Sequence, residues 1–250
     1  MAPDAERAER ARAFENGAHA YRVARPTYPD DAVRWAVPAG ARDVLDLAAG
    51  TGKLTERLVA LDLDVTAVEP SRAMRQELQS WLPEVEPLAG SAEHTGLPDA
   101  SFDLVTVAQA WHWFDAAAAS AEIARVLRPG GTLSVLWNVR DDDVDWVAEF
   151  TRIVHRHDAH PVTGERATGP ELSAAFGPLE HQQVRWVDEV RAESLRPLAA
   201  SHSSVLVLAP AAQEAVLHDV DVLVRTHPEL RGRAEIAVPY VTDCWRAVTV

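Results

Sequence analysis

The stretch Val44–Gly52, VLDLAAGTG, constrains this 250-residue chain more than any other. An apolar run broken only by Asp46 leads into Ala-Ala-Gly-Thr-Gly, and an amphipathic segment opens near Lys53. The pattern predicts a buried parallel strand, a tight glycine turn and the start of a helix. Glycine lets ligand atoms approach the main chain closely, and the unpaired amides of a helix start attract electron-rich groups. A second apolar run, DVTAVE, closes on Glu69. A carboxylate at the end of a second strand is where a nucleotide ribose is held by its two hydroxyls. The expectation is a nucleoside-binding βαβ unit.

The rest of the chain extends that unit. Residues 3–20 read as a helix with Glu and Arg at helical spacing. In Ala20–Pro29, AYRVARPTYP, two prolines favour an irregular path that presents Tyr21, Arg25 and Tyr28. That segment is either a surface linker or a lid in which Arg25 meets a carboxylate. A short helix at 30–37 is followed by strand 43–49, helix 52–61, strand 64–69 and helix 71–82, with Ser71 as N-cap. Strands are further expected at 85–92, 102–110 and 132–138, with a helix at 116–127 stopped by Pro129-Gly130-Gly131. Strand and helix alternate, which predicts an α/β doubly wound, mostly parallel sheet with helices on both faces. Beyond it come a helix carrying Trp146, Phe150 and Ile153 inward, a loop at 158–179, strand 180–190, helix 210–227 and strand 236–250. Seven strands result. No linker, repeat or low-complexity tract divides the chain, so a single domain over 1–250 is expected.

Bulk composition excludes more than it selects. With 24 basic and 38 acidic residues the net charge is −14, which disfavours a nucleic-acid partner. Cys244 is the only cysteine, so no internal disulfide is possible, and its apolar setting suggests an inert thiol. The charged N-terminus lacks the apolar centre of a signal peptide, and no run reaches the length of a membrane span. A cytoplasmic protein with no membrane partner is expected. His155, His157, Asp158 and His160 lack the spacing that gathers ligands on one helix face, so no metal is expected. Asp141, Asp142, Asp143 and Asp145 read as a helix start favoured by its dipole.

Two residues narrow the nucleoside. A dinucleotide fingerprint needs a third glycine where this chain has Thr55. Asp46, four residues before Gly50, would repel a pyrophosphate and welcome an ammonium group. The site wants a nucleoside with a positive end.

VLDLAAGTG, VEPS, AGSAEHTGLPDASFDLVTVAQAWHWFD and RVLRPGGTLSVL, in that order, resemble the class I methyltransferases that use S-adenosylmethionine. FENGAHAYRVARPTYP and AQAWHWFD resemble the small-molecule, type 11 or UbiE-like branch of that family; the likeness covers roughly residues 14–140. The resemblance implies a Rossmann-like fold, with 1–40 as lid and helices, 41–140 as the cofactor core and 141–250 as acceptor-pocket elements and C-terminal strands. It implies that Asp46 and the backbone from Ala48 through Gly50 and Thr51 to Gly52 hold the methionine part, with Ala48 where a glycine is commoner. Glu69 would bind the ribose and Pro70 would pack near the adenine. Ser91, Ala92 and Glu93 would meet the adenine edge, Ser91 standing where an aspartate is often found. Gln109 would offer its carbonyl to the ammonium, and Tyr21 and Arg25 would close on the cofactor carboxylate.

The cofactor implied is S-adenosylmethionine and the partner a small-molecule acceptor, methylated on oxygen first, with carbon or nitrogen open. His112 is the candidate general base; its other reading is a histidine bonded to backbone inside Trp-His-Trp. Tyr28, Trp111, Trp113 and Trp137 are candidates for the acceptor pocket. The rival readings are a cofactor-binding regulatory or scaffold protein on the same fold and a nicotinamide oxidoreductase. Oligomeric state is not addressed by the sequence.

Overall fold

Alternating apolar runs and capped amphipathic segments become strands and helices in the computed structural model, which describes residues 18–158 and 168–250. In chain order these are α1 (Ala18–Ala24), α2 (Asp30–Ala36), β1 (Asp43–Leu47), α3 (Lys53–Val59), β2 (Asp64–Val68), α4 (Arg72–Trp81), β3 (Phe102–Ala108) and α5 (Ala116–Val126). They continue as β4 (Leu127–Arg140), α6 (Asp145–Val154), β5 (Glu180–Arg191), α7 (Leu195–Ala200), α8 (Ser203–Leu206), α9 (Pro210–Thr226) and β6 (Glu235–Val248). The sheet order is β2-β1-β3-β4-β6-β5. The first four of these strands run parallel, with Asp46 opposite Ala67 on one side and Thr106 on the other. Order reverses at β1, and in open α/β sheets the ligand crevice lies beyond the carboxyl ends of the strands at such a point.

The described chain divides into two units. One takes the described residues of 27–138, 162–184 and 242–250; the other takes those of 1–26, 139–161 and 185–241. In the first, Val44, Leu54, Leu58, Leu104, Leu136 and Cys244 pack with Tyr28, Ala32 and Val33 of the α2 region. In the second, Trp146, Phe150 and Ile153 of α6 pack with Leu195, Val216, Val220 and Tyr240, as the helical spacing of those residues predicts.

The structure corrects the sequence reading in three places. Residues 85–92 form no strand; Leu88 makes one parallel bridge to Val68, its amide donating to Ala67 O and its carbonyl accepting from Glu69 N. Gly90 packs under Val68 and the pairing stops at that one residue, so among the described residues the sheet has six strands, not seven. Tyr21 lies in α1 rather than in an irregular segment. The helix runs to Ala24 and ends where Pro26 disfavours helical geometry for Arg25. The short helices α7 and α8 were not anticipated. The helix expected at 3–20 lies outside the described residues up to 17, as does His160.

A candidate cofactor site at the β1 turn

β1 ends at Leu47 and the chain turns sharply through Ala48 (φ 56°), Gly50 (φ 58°) and Gly52 (φ 87°) into α3. Three left-handed residues in five is a conformation that glycine enters freely and alanine only at a cost of about 1–2 kcal/mol. That explains why a glycine would suit position 48 better. At Gly52 a Cβ would stand 3.0 Å from the Leu78 side chain, so the turn is packed against α4; at Gly50 nothing lies within 4 Å. The turn is closed on its inner side and open at Gly50.

Two carboxylates flank it. Asp46 is buried, its Oδ2 accepting from Thr55 Oγ1 at 2.6 Å and its Oδ1 from Thr106 Oγ1 at 2.9 Å. Burial pushes its carboxyl up to about 6, against the pull of those hydrogen bonds. Glu69, at the end of β2, accepts from Ser71 N through Oε1 (2.8 Å) and from Gly50 N through Oε2 (3.0 Å). Each carboxylate oxygen has a second lone pair, so Glu69 ties the two loops together and still has acceptor capacity for hydroxyls. Arg75 of α4 fixes the same corner, one nitrogen donating to Glu69 O at 2.6 Å and to Pro70 O at 2.7 Å.

The remaining sequence-predicted residues of this unit fall as follows. Gln109 follows β3 with φ 57°, its side-chain amide donating to Asn138 O at 2.9 Å. A non-glycine residue held there re-aims its carbonyl, the kind of strain found at functional sites. Ser91 and His94 exchange backbone hydrogen bonds in a turn, Ala92 is buried and the Glu93 carboxylate accepts from Asp115 N. His112 sits in a 3-10 turn, Trp111–Trp113, its ring 4.6 Å from that of Trp113. Trp111 is buried against Phe114, Trp137 is fully buried on β4 with its indole N–H unpaired, and Tyr28 is packed in the core. Tyr21 and Arg25 belong to the other unit. There Arg25 lies over the Tyr21 ring and donates to Ser201 O at 3.1 Å. The sequence reading missed Thr106, Arg75 and Asn138. Only a threonine inside the apolar FDLVTVA signalled the first.

Does this corner fit the methyl donor? The Thr51 hydroxyl is buried in the turn with no hydrogen-bond partner, an orphan that costs about 1–3 kcal/mol unless a ligand or water meets it. The open face at Gly50, the carboxylate of Glu69 and the negative Asp46 match a ribose and a cationic end, and no basic cradle for a pyrophosphate is present in Val44–Gly52. The residues fit the group.

A family model described as "Methyltransferase domain" matches residues 45–135. An uncharacterized methyltransferase of Mycobacterium tuberculosis is 45% identical over 234 residues, 94% of each chain. An uncharacterized methyltransferase-like protein of Schizosaccharomyces pombe is 33% identical over 92% of each chain. Among solved structures, a putative type II methyltransferase from Anaeromyxobacter dehalogenans has a TM-score of 0.62 at 26% identity, covering 90% of this chain and 97% of its own. With the glycine turn, the two carboxylates and the parallel sheet in place, these likenesses show that the chain belongs to the class I methyltransferase family, whose methyl donor is S-adenosylmethionine.

Proposed function

We propose that the protein transfers the methyl group of S-adenosylmethionine to a small organic acceptor, with oxygen as the acceptor atom. The observation that carries the choice of methyl donor is the pair of carboxylates, Asp46 and Glu69, placed on either side of the strained turn. Asp46 supplies negative charge for the ammonium end, Glu69 accepts the ribose hydroxyls, and the backbone of Ala48–Gly52 lies against the methionine part. Gln109 turns its carbonyl toward the same ammonium, and Ser91–Glu93 and Pro70 border the adenine.

The sulfonium of the cofactor makes its methyl carbon electrophilic. Holding an acceptor in line with that carbon supplies roughly 7–11 kcal/mol of the barrier reduction. An alcohol or phenol gains a further factor of about a hundred or more from a base. His112, in the turn that follows β3, is assigned that role, and Tyr28, Trp111, Trp113 and Trp137 wall the acceptor pocket.

Among the described residues no helix is long and apolar enough to cross a membrane, and no cluster of His, Cys, Asp and Glu has a metal site's arrangement. Isothermal titration tests the reading: S-adenosylhomocysteine binds one to one, and NAD does not. Heat with NAD alone would overturn it. Normal turnover of the acceptor by His112→Ala would remove the base from that position.

A further inference from the structure

Thr106 is a fully buried hydroxyl in the middle of β3, on a strand whose buried positions are otherwise apolar. It stands opposite Asp46 of β1 on one side and Ser134 of β4 on the other. Nothing in a purely apolar sheet calls for it. Its Oγ1 reaches Asp46 Oδ1 at 2.9 Å, while Thr55, from the first turn of α3, reaches Oδ2 at 2.6 Å. Two donating hydroxyls match a carboxylate that only accepts, which is its ionised form. A protonated Asp46 would reverse one contact, donating to that hydroxyl, whose own hydrogen then turns to another acceptor; for Thr106 Oγ1, Leu45 O lies at 3.5 Å.

We propose that Thr106 and Thr55 are positioning residues for the methyl donor, acting through Asp46: their hydroxyls hold a buried carboxylate charged and fixed in orientation for the cofactor's ammonium end. This rests on the reading of Asp46 as the partner of that ammonium. Burial alone works against the charge, and the threonines work for it, which is the sense of each contribution at Asp46. The charged groups on the elements packed around it are Asp43 on its own strand, Asp64 on β2 and Glu69 just after it, Asp103 on β3, and Lys53, Glu56 and Arg57 on α3. Asp43 and Asp103 are engaged with Arg128, Asp64 with Arg42 and Arg57 with Asp30. The hydrogen bonds found on the Asp46 carboxylate come from the two threonines. Thr55, which spoils a dinucleotide fingerprint by replacing its third glycine, thus has a positive role in the same place.

The test is the pH dependence of S-adenosylhomocysteine affinity between pH 5 and 8 for the wild type, Thr106→Val, Thr106→Ser and Asp46→Asn. Wild-type affinity falls as pH drops through about 6, where Asp46 takes up its proton. Thr106→Val moves that midpoint up by about one pH unit, with its largest loss of affinity near pH 6. Thr106→Ser restores the wild-type midpoint. Thr55→Ala carries the same expected shift, so a Thr106→Val chain that fails to fold leaves the measurement intact. The difference between variants is the readout. An unchanged midpoint in Thr106→Val and Thr55→Ala, or an equal loss of affinity at every pH, overturns the inference while Asp46→Asn still weakens binding tenfold or more. If Asp46→Asn binds as tightly as wild type, the reading of Asp46 fails, and the inference falls with it.

Discussion

The β1 turn and the Arg140 cluster of the other unit are polar constructions of opposite sign. At the turn, two carboxylates are held by hydroxyls and amides, with Thr55 and Thr106 on Asp46 and Gly50 and Ser71 on Glu69. At the end of β4, the Arg140 guanidinium is met by neutral acceptors: Thr151 Oγ1 at 3.0 Å, His202 Nε2 at 3.0 Å and His155 Nε2 at 3.3 Å. Donating to both imidazoles fixes their tautomers, with the lone pair of each Nε2 toward the arginine and Nδ1 of His155 bonded to Asp158 at 2.7 Å. The arginine also lies over the Phe150 ring at 5.0 Å. The second cluster joins β4, α6, the turn after α6 and the segment before α8, and so reads as a tie within its unit. The first sits beside strained backbone and an orphaned hydroxyl, the features that mark a ligand site. Polar burial alone does not distinguish a site from a tie; the strain and the orphan do.

The largest effect that would sharpen this contrast is at Glu69. Glu69→Ala strips the acceptor from two backbone amides and, in the proposed reading, from the ribose, and S-adenosylhomocysteine affinity should fall about a hundredfold by isothermal titration. Affinity within threefold of wild type would place the ribose elsewhere. Arg140→Met should do the reverse, costing about 2 kcal/mol in urea unfolding because two imidazoles and a hydroxyl lose their donor, while affinity stays within twofold. A large loss of affinity without loss of stability would make that cluster a binding site and break the comparison.

Acid behaviour gives a smaller, signed effect. Hydrogen bonds from Arg125 first, and then Thr95, hold Glu122 well below the usual range, at about 2. Its contribution to stability is therefore full above the unfolded value near 4.5 and is lost as pH falls toward 2. Asp46 runs the other way. Its raised carboxyl favours the fold below its unfolded value near 3.8, and that advantage is lost as pH rises through about 6. Chemical unfolding between pH 3 and 7 should show Glu122→Gln flattening the acid limb and Asp46→Asn gaining relative to wild type above pH 6. A cofactor site that keeps a charge it must desolvate gives up stability for binding. The smallest effect is at Ala48: its left-handed φ means Ala48→Gly should raise stability by about 0.5–1 kcal/mol by thermal unfolding. A destabilised variant would mean that the turn is not strained there.

Local sequence carried the turn because all of its parts lie within nine residues, and glycine spacing and strand pattern report backbone geometry directly. Ser71 as N-cap was equally visible, and it accepts from Met74 N at 3.2 Å. Thr106 showed only as a threonine in an apolar run, because its partner is sixty positions away and becomes its neighbour only through parallel pairing. The Arg140 cluster was hidden for the same reason, its members being drawn from residues 140, 151, 155, 158 and 202. The histidines from which no metal was expected divide: His155 is bonded to Asp158, and His157 is exposed. The strand expected at 85–92 is reduced to one bridge at Leu88, because apolar pattern does not report how far pairing with a neighbouring strand extends.

The claim that most needs testing is that this site performs methyl transfer rather than mere cofactor storage. Wild-type protein incubated with a metabolite extract and methyl-labelled S-adenosylmethionine, followed by mass spectrometry, tests it directly. The account predicts one labelled small-molecule product, its methyl on oxygen, formed together with S-adenosylhomocysteine. Cofactor bound stoichiometrically, with no labelled product and no S-adenosylhomocysteine, would contradict it.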